Sequence, residues 1–346
     1  MLDGGRNMRD GDMIILKGQD VEALLEGEET QIIQIVKSAY EAHGRGESSL
    51  PHSQFLLFPD NPRNRIIALP AYLGSEFQVA GMKWVSSFPG NLQAGLNRAS
   101  AVVVLNSPHT GRPEAILEGS IINAKRTAAS AALAAQWLHQ DEGTTRIGVI
   151  GCGIINFEIV RFLMAVYPNI KNLMIFDIDR QRGDWFKQKC QSAFESLEAE
   201  VVDSVEEVLS SCSLISIATT AAKPHIFDLS GCVSGATILH VSLRDFSPEV
   251  ILSCDNVVDD IDHVCRAQTS IHLTEQVVGN RDFIRCALAD ILMGKAPKRS
   301  STDKIAIFSP FGLGILDIAV GKFIRDRAVS QNRGTIIESF LSGSGG

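Results

Sequence analysis

An α/β protein in which a mixed α/β unit precedes a doubly wound parallel sheet is what this sequence predicts. Three observations predict it. From Arg146 onward, short apolar runs such as RIGVI, NLMIF and SLISI alternate with helical segments, the rhythm of buried parallel strands joined by crossover helices. Before residue 120 the texture is different, with short β-branched or aromatic segments separated by Pro, Gly and Asn turns, which reads as an antiparallel or mixed sheet. Between the two, GVIGCGIIN sets a pair of glycines between an apolar strand and a helix.

The elements follow in order. Ile32, Ile33, Val36 and Tyr40 fall at helical spacing between Thr30 and His43, and HGRG stops that helix with glycine and basic residues. Strands are then expected in SQFLLF, RIIALPAYL, QVAGMKWVSSF, SAVVVLN and PEAILEGS, the last two separated by the turn SPHTGRP. From about Asn123 the alanine-rich AKRTAASAALAAQWL favours a closely packed helix, ended by HQDEGTT. RIGVIG then leads into the helix INFEIVRFLMAVY, NLMIFDID into RQRGDWFKQKCQSAF, and EVV into SVEEVLSSC, before strands in SLISIATT, TILHVSL and DNVVDDI. KIAIFSP is the last strand of this series, and after a Pro and Gly turn a long helix carries Ile315, Leu316, Ile318, Ala319 and Phe323 on its apolar side. The tail SFLSGSGG is expected to be disordered.

Composition narrows the function. At 346 residues, 45% hydrophobic and 21% charged, the chain holds one large or two ordinary domains. A net charge of −8 argues against a nucleic-acid or anionic-membrane partner engaged through bulk electrostatics. Seven cysteines form no CxxC pair, so neither a zinc site nor a disulfide framework is indicated, and a reducing compartment is the simpler reading. The N-terminal residues lack the apolar core of a signal peptide, and no run of about 18 apolar residues occurs, so a cytoplasmic protein is expected. The eight histidines show no HxxxH or HExxH spacing and no metal is assigned. His240 reads as a core or subunit-contact residue, and His52 and Ser53 as loop or strand edge.

GVIGCGIIN carries the chemistry. In a dinucleotide turn the first glycine, here Gly151, permits the bend, and the second, Gly153, lets the pyrophosphate approach the backbone. Ile154 and Ile155 then open a helix whose N-terminal amides face the phosphates. The third glycine, which serves helix packing, is replaced by Asn156, expected to set the helix slightly farther from its strand. Asp177 ends the next strand 26 residues after Gly151, where a carboxylate accepts the ribose hydroxyls and favours NAD over NADP. Arg180 and Arg182 lie just beyond and leave NADP open as the alternative, as a bare GxG leaves open a tight turn without function.

A substrate site is expected at the carboxyl ends of the parallel strands. Thr219 and Thr220 end SIATT there beside the cofactor, and Asp245 follows the next strand, either in the site or as a helix-terminal residue near SPEV. Lys83 sits inside an apolar strand, Arg126 precedes the alanine-rich helix, and Arg98 stands in NRAS. Buried cations demand partners, and an anionic ligand is one.

RIIALPAYLG, AGMKWVSSFPGN, NRASAVVVLN, TGRPEAILEGSIINAKRTAASAALAA, GVIGCGIIN and GLGILD, in this order, resemble the ornithine cyclodeaminase and mu-crystallin family from about Leu50 to Arg325. Within it RIIALP, NRAS and LEGSII are most similar to the dehydrogenases that form 2,3-diaminopropionate for siderophores and peptide antibiotics, oxidising N-(1-amino-1-carboxy-2-ethyl)-glutamate with NAD and releasing 2-oxoglutarate. The resemblance implies a homodimer in which residues 1–125 and 311–346 form a substrate and dimerisation domain around an inserted Rossmann domain, residues 126–310. By motif it makes Lys83 and Arg126 the cations for a substrate carboxylate, Asp245 the catalytic aspartate, and Gly314 the start of a helix near the cofactor. RDFSPE departs from the D-x-P-G-type loop of the cyclodeaminases, which puts cyclisation in doubt more than the redox step.

That reaction sets further demands. Hydride leaves the α-carbon of the glutamate moiety, water adds to the resulting imine, and the carbinolamine collapses to an amine and a 2-oxo acid. Asp245 is the candidate for moving the protons if burial raises its pKa, an effect nearby cations oppose, and Lys83 is the second catalytic candidate. Three substrate carboxylates need matching charge, for which Arg65 joins Lys83, Arg98 and Arg126. Two alternatives stay open: a cyclodeaminase or ketimine reductase acting on ornithine, lysine or cyclic imines, and a non-catalytic, crystallin-like NAD-binding protein.

Overall fold

The structure, a computed structural model, describes Arg9 and residues 11–341. The chain divides into two compact units, Met1–Arg126 with Leu313–Gly346, and Thr127–Gly312.

The first unit opens with β1 (Met13–Leu16), α1 (Gly18–Leu25) and α2 (Glu29–Gly44). α2 buries Ile32, Ile33, Val36 and Tyr40, the stripe legible in the sequence. β2 (Ser48–Ser49), β3 (Gln54–Phe58), β4 (Asn61–Leu73), β5 (Val79–Ser87), β6 (Ala99–Asn106) and β7 (Pro113–Glu118) follow, with one 3-10 stretch at Pro89–Ala94. α3 (Gly119–Leu138) starts earlier than the expected Asn123 because the Glu118 carboxylate caps it, accepting the amides of Ser120 at 2.7 Å and Ile121 at 3.0 Å.

The second unit continues with β8 (Arg146–Ile150), α4 (Ile154–Val166), β9 (Asn172–Phe176), α5 (Arg180–Ala193), β10 (Glu198–Val201), α6 (Val205–Ser211), β11 (Leu214–Ile217) and β12 (Thr237–His240). Then come α7 (Pro248–Ser253), β13 (Asp255–Val258), α8 (Ile261–Val264), α9 (Ser270–Val278), β14 (Ile284–Ala287), α10 (Leu288–Leu292) and β15 (Ala306–Ser309). Its strands are ordered β10-β9-β8-β11-β12-β15-β13-β14, and every pair is parallel. Ile150, Ile215, Ile217, Ile238, Val258 and Ile307 from this sheet share one buried cluster with Val208 of α6, Val250 of α7 and Ile271 of α9. This is the doubly wound sheet read from the alternating apolar runs.

The chain returns to the first unit with α11 (Gly314–Ser330) and β16 (Thr335–Ile337). The first sheet runs β16-β1-β7-β6-β5-β4-β2, with β3 paired to β4. Only the β1–β7 pair is parallel, so the sheet is mixed. Register aligns Leu69, Lys83 and Val103 across β4, β5 and β6, and all three are buried. The alternate residues, among them Ala68, Trp84 and Val102, point to the other face and are less covered. α11 is buried on every side from Gly314 to Gly321, and Gly314 lies against β4, where a Cβ would meet the Leu69 carbonyl oxygen at 2.9 Å. Tail residues 342–346, expected to be disordered, lie outside the described residues.

Candidate functional site

In the second unit β8 ends in the glycine turn. Gly151 has φ +93°, and a Cβ there would lie 2.5 Å from the Ala218 carbonyl oxygen, so only glycine fits. Gly153 is the opposite case: a Cβ would meet nothing within 4 Å, leaving backbone open to a ligand. Gly153 also precedes α4 as its N-cap with no side-chain cap, so the first-turn amides near Ile154 and Ile155 are available to an anion. The turn fits a pyrophosphate.

Asn156 does more than space a helix from a strand. It is fully buried, and its amide nitrogen donates to the carbonyls of Ile150 at 3.0 Å and Gly151 at 2.6 Å. Its oxygen accepts the Ser216 hydroxyl of β11 at 2.7 Å. The expected glycine is therefore replaced by a polar clamp that ties the turn to its neighbouring strand, a correction to the spacing role read from the sequence.

Asp177 follows β9, and its carboxylate accepts the Cys152 amide of the turn at 2.7 Å and the Asp179 amide at 3.0 Å. The two arginines beyond it face acids and carbonyls: Arg180 pairs with Asp203, while Arg182 donates to the Cys152 carbonyl at 3.1 Å and stands 4.0 Å from Asp177. A ribose 2′-phosphate would have to displace those partners.

At the carboxyl ends of β11 and β12 a polar cluster surrounds Asp245, which is 0% exposed. One carboxylate oxygen accepts the Thr219 hydroxyl and His225 Nε2 at 3.0 Å; the other accepts His240 Nε2 at 3.1 Å and the Ser242 hydroxyl. Thr220 is exposed beside this cluster. Burial works to raise the Asp245 pKa, but hydrogen bonds from His225, His240 and Ser242 outweigh it and hold the carboxyl far below the usual carboxylate range. The expectation that burial lifts this pKa into a proton-transfer range is corrected, since the hydrogen bonds outweigh burial and the shift is downward; His240 Nε2 also lies 3.3 Å from the Asp245 amide. His240, read as a core residue, is buried but belongs to the cluster, with Nδ1 at 3.0 Å from the Ser309 hydroxyl.

The first unit holds a second cluster. Lys83 Nζ donates to Asn123 Oδ1 at 2.9 Å and forms an ion pair with Asp317 at 2.8 Å. Arg126 donates to the other Asp317 oxygen at 3.0 Å and to Asn123 at 2.7 Å. All three charged groups are buried, and two cations on one carboxylate leave one positive charge uncompensated. Burial, helped by Arg126 and opposed by Asp317, lowers the Lys83 pKa to about 8. Sequence reasoning misses Asp317, although an acid within the apolar run of α11 is the signal that finds it.

Arg65 of β4 and Arg98 before β6 lie in the same unit. Arg65 Nε is buried without a hydrogen-bond partner, and neither guanidinium pairs with a carboxylate among the described residues. Burial lowers the pKa of both, and the charge of Arg65 lowers that of Arg98 further. Two half-buried guanidinia therefore sit close enough to repel each other with nothing to neutralise them. Among the described residues no group of acids, histidines and cysteines could hold a metal ion, and no helix is long and apolar enough to cross a membrane.

Comparison with known proteins bears on these arrangements. The model of the ornithine cyclodeaminase/mu-crystallin family matches residues 12–332. The N-((2S)-2-amino-2-carboxyethyl)-L-glutamate dehydrogenase of Staphylococcus aureus is 27% identical over 335 residues, 95% of this chain and 99% of the relative. Among solved structures, the Δ1-pyrroline-2-carboxylate reductase of Thermococcus litoralis, in complex with NADH and L-proline, superposes with a TM-score of 0.87 at 25% identity, covering 93% of this chain and 99% of that one. An archaeal alanine dehydrogenase dimer with bound NAD gives a TM-score of 0.85 at 26% identity, over 94% and 99% of the two chains.

Proposed function

The chain belongs to the ornithine cyclodeaminase/mu-crystallin family, and we propose that within it the protein catalyses the NAD-dependent oxidative cleavage of N-(1-amino-1-carboxy-2-ethyl)-L-glutamate to 2,3-diaminopropionate and 2-oxoglutarate, for siderophore or peptide natural-product synthesis. It is an NAD-dependent enzyme acting on an amino-acid CH–NH bond, as its named relatives are dehydrogenases and reductases. NAD is its cofactor, in keeping with the NAD and NADH complexes of similar structures, and the engaged Arg180 and Arg182 support NAD over NADP.

One observation carries the substrate. The unneutralised pair Arg65 and Arg98 carries two positive charges, and in the same unit Lys83, Arg126 and Asp317 add a third once Lys83 has taken up a proton, a set suited to an anionic ligand. The proposed conjugate carries three carboxylates, whereas alanine, ornithine and a cyclic imino acid carry one. Arg65 stands four residues along the strand from Leu69, the register partner of Lys83, roughly 13 Å away. That spacing suits carboxylates at separate ends of an extended molecule.

The residues divide the work. Gly151, Gly153 and the amides at Ile154 and Ile155 hold the pyrophosphate, Asp177 the ribose, and Thr219 and Thr220 flank the nicotinamide end; Gly314, required by packing, begins the helix that brings Asp317 to Lys83. When bound, NAD supplies the hydride acceptor. Lys83, which loses its proton near pH 8, takes the proton that the substrate nitrogen must lose before its lone pair can assist hydride departure. Arg126, Arg98 and Arg65 bind carboxylates and fix the substrate. Asp245, which the family motif makes the catalytic aspartate, stands among Thr219, His225, His240 and Ser242 at the carboxyl ends of β11 and β12.

The weakly covered face of the first sheet supports a homodimer. Trp84 is 38% exposed and Leu56 49% exposed on that face, beside Ile66 and Val102. An uncovered apolar sheet face of this kind suits a second copy of the chain. Free thiols at all seven cysteines support a cytoplasmic protein.

The test is NADH formation with the conjugate, alongside alanine, ornithine and Δ1-pyrroline-2-carboxylate, and mass spectrometry of the products. Stoichiometric NADH, 2,3-diaminopropionate and 2-oxoglutarate are expected. Turnover of a monocarboxylate with none of the conjugate would overturn the assignment, as would NAD binding with no turnover at all.

A further inference from the structure

We infer that Asn123 of α3 is a positioning residue for the oxidation step, its amide oxygen aiming both Lys83 Nζ and one edge of Arg126 at the substrate. The inference rests on the proposed reading of Lys83 as the group that takes the substrate's proton.

Two cationic donors converge on one atom of this side chain. Lys83 Nζ donates to Asn123 Oδ1 at 2.9 Å, and Arg126 Nη2 donates to the same oxygen at 2.7 Å. Only the oxygen of an amide accepts both, so the neighbours settle which way the amide faces. Asp317 stands on the same two cations in a different way. Its Oδ1 accepts Arg126 Nε at 3.0 Å, whereas its Oδ2 lies 2.8 Å from Nζ but off the hydrogen-bond direction, and makes no hydrogen bond among the described residues. Asp317 therefore supplies charge to Lys83, and Asn123 supplies direction.

The backbone brings Asn123 to both. Asn123 and Arg126 are three residues apart on α3 and share a face of the helix. The start of that helix is pinned on β6: the Ser120 hydroxyl accepts the Ala101 amide at 2.9 Å, and a Cβ on Gly119 would lie 3.0 Å from the Ala101 carbonyl carbon. β6 pairs with β5, where Lys83 is the register partner of Val103. An amide one turn into the helix thus meets a lysine on the sheet.

Counting hydrogens gives the consequence. A neutral Nζ carries two N–H groups and one lone pair, and two oxygens with lone pairs of their own stand within 2.9 Å of it. The hydrogens turn to the oxygens, and the lone pair takes the tetrahedral direction that remains. The proton of the substrate's ammonium nitrogen passes to that lone pair; its N–H bond breaks with the electron pair left on the substrate, and the new Nζ–H forms without turning the side chain. On Arg126, Nε and one Nη2 hydrogen are held by Asp317 and Asn123, while Nη1 makes no hydrogen bond among the described residues. The free edge, Nη1 with the second Nη2 hydrogen, is the fork that takes a carboxylate in bidentate form. The aiming group must also be neutral. A second carboxylate here would cancel the one positive charge that protonated Lys83, Arg126 and Asp317 leave for an anion.

Two variants and one titration test this. Asn123→Asp keeps the aimed oxygen but adds charge beside Lys83, where Arg126 and Asp317 are the other charged groups. The rise of kcat/KM with pH should move upward by about one pH unit or more, KM for the conjugate should rise about tenfold or more, and kcat above the new inflection should return to within about threefold of wild type. Asn123→Leu removes the acceptor, so the inflection should move downward and kcat should stay about 10–100-fold low at every pH. A merely structural role would lower activity in both variants and move neither inflection. Carbon NMR of lysine-labelled protein without substrate, with the Lys83 signal assigned by its loss in Lys83→Met, should show Lys83 titrating in the same two directions. An unmoved Lys83 titration in Asn123→Asp, kcat in that variant that stays low at high pH, or wild-type kcat in Asn123→Leu would each overturn the inference; should the leucine variant fail to fold, the aspartate variant decides alone. Titrations that shift while the activity profiles do not would remove Lys83 from proton transfer, a failure of the reading beneath the inference. If wild type oxidises another amino acid in place of the conjugate, the proposed substrate falls and the same profiles on that amino acid, with the NMR, decide Asn123.

Discussion

Replacing Asn156 by alanine tests how the glycine turn is held. The side chain is fully buried and makes three hydrogen bonds, to the carbonyls of Ile150 and Gly151 and from the Ser216 hydroxyl. Ile150 O keeps a second partner, the Ala218 amide at 3.0 Å. Gly151 O and the Ser216 hydroxyl lose theirs. Each buried polar group left unpaired costs about 1–3 kcal/mol, so Asn156→Ala should destabilise the protein by roughly 2–4 kcal/mol after some relaxation. Because the freed carbonyl belongs to the glycine whose φ shapes the phosphate turn, NAD affinity should weaken by about 10–100-fold, or roughly 1.4–2.8 kcal/mol. Urea unfolding and titration with NAD read the two effects. Adding Ser216→Ala removes one of the stranded groups and should recover about 1 kcal/mol. The spacing role makes the opposite forecast, since Asn156→Gly would then be neutral or helpful. An Asn156→Gly variant as stable and as tight for NAD as wild type would refute the clamp.

Four further outcomes rest on the same structure. Arg65→Gln and Arg98→Gln should each raise KM for the conjugate by about 10–100-fold with a smaller change in kcat, since a hydrogen bond to a charged group is worth about 1.5–3 kcal/mol; unchanged KM in both would remove them from the substrate site. Lys83 has its pKa lowered to about 8 from 10.5, so between those values the unfolded chain binds more protons than the folded one, and the contribution of Lys83 to stability rises with pH across that window. Activity limited by neutral Lys83 should rise through about pH 8, and Arg126→Met, which removes a neighbouring positive charge, should shift the inflection upward; a flat profile or a downward shift contradicts this. If the proposed homodimer joins through the uncovered sheet face, Trp84→Asp should yield monomers in analytical ultracentrifugation where wild type sediments as a dimer; a variant that sediments like a dimeric wild type would contradict this.

Legibility in the sequence follows the range of the interactions. The inner strands of the parallel sheet stand out because burial on both faces makes them largely apolar, and α2 because its stripe repeats every turn. β1 and β16, by contrast, are strands of four and three residues defined by pairing with each other, Met13 against Ile337, and no local pattern announces such a partner. α7, α8 and α9 are short, of six, four and nine residues, yet Ser247, Asp260 and Thr269 cap them with side-chain bonds to Val250, His263 and His272, a helix-start signal that the sequence does contain. At the site, cations inside apolar segments are legible because a buried charge demands a partner. That the partner of Lys83 and Arg126 within the chain is Asp317 depends on α11 lying against the sheet, which spacing cannot reveal. Asn156 differs again: the sequence shows a glycine missing, whereas the filled valences of its replacement exist only when β8 and β11 are side by side.

The place of β15 in the parallel sheet also governs when that sheet can exist. It lies between β12 and β13, although it is made after β14. During synthesis from the N-terminus, β13 and β14 therefore emerge before the strand that joins them to β12. All four residues of β12, β13 and β15 are buried in the finished unit, so a nascent chain that has not reached Ala306 presents two apolar strand edges with open backbone groups. Products of premature termination anywhere between Val258 and Ala306 are thus primed for edge-to-edge association.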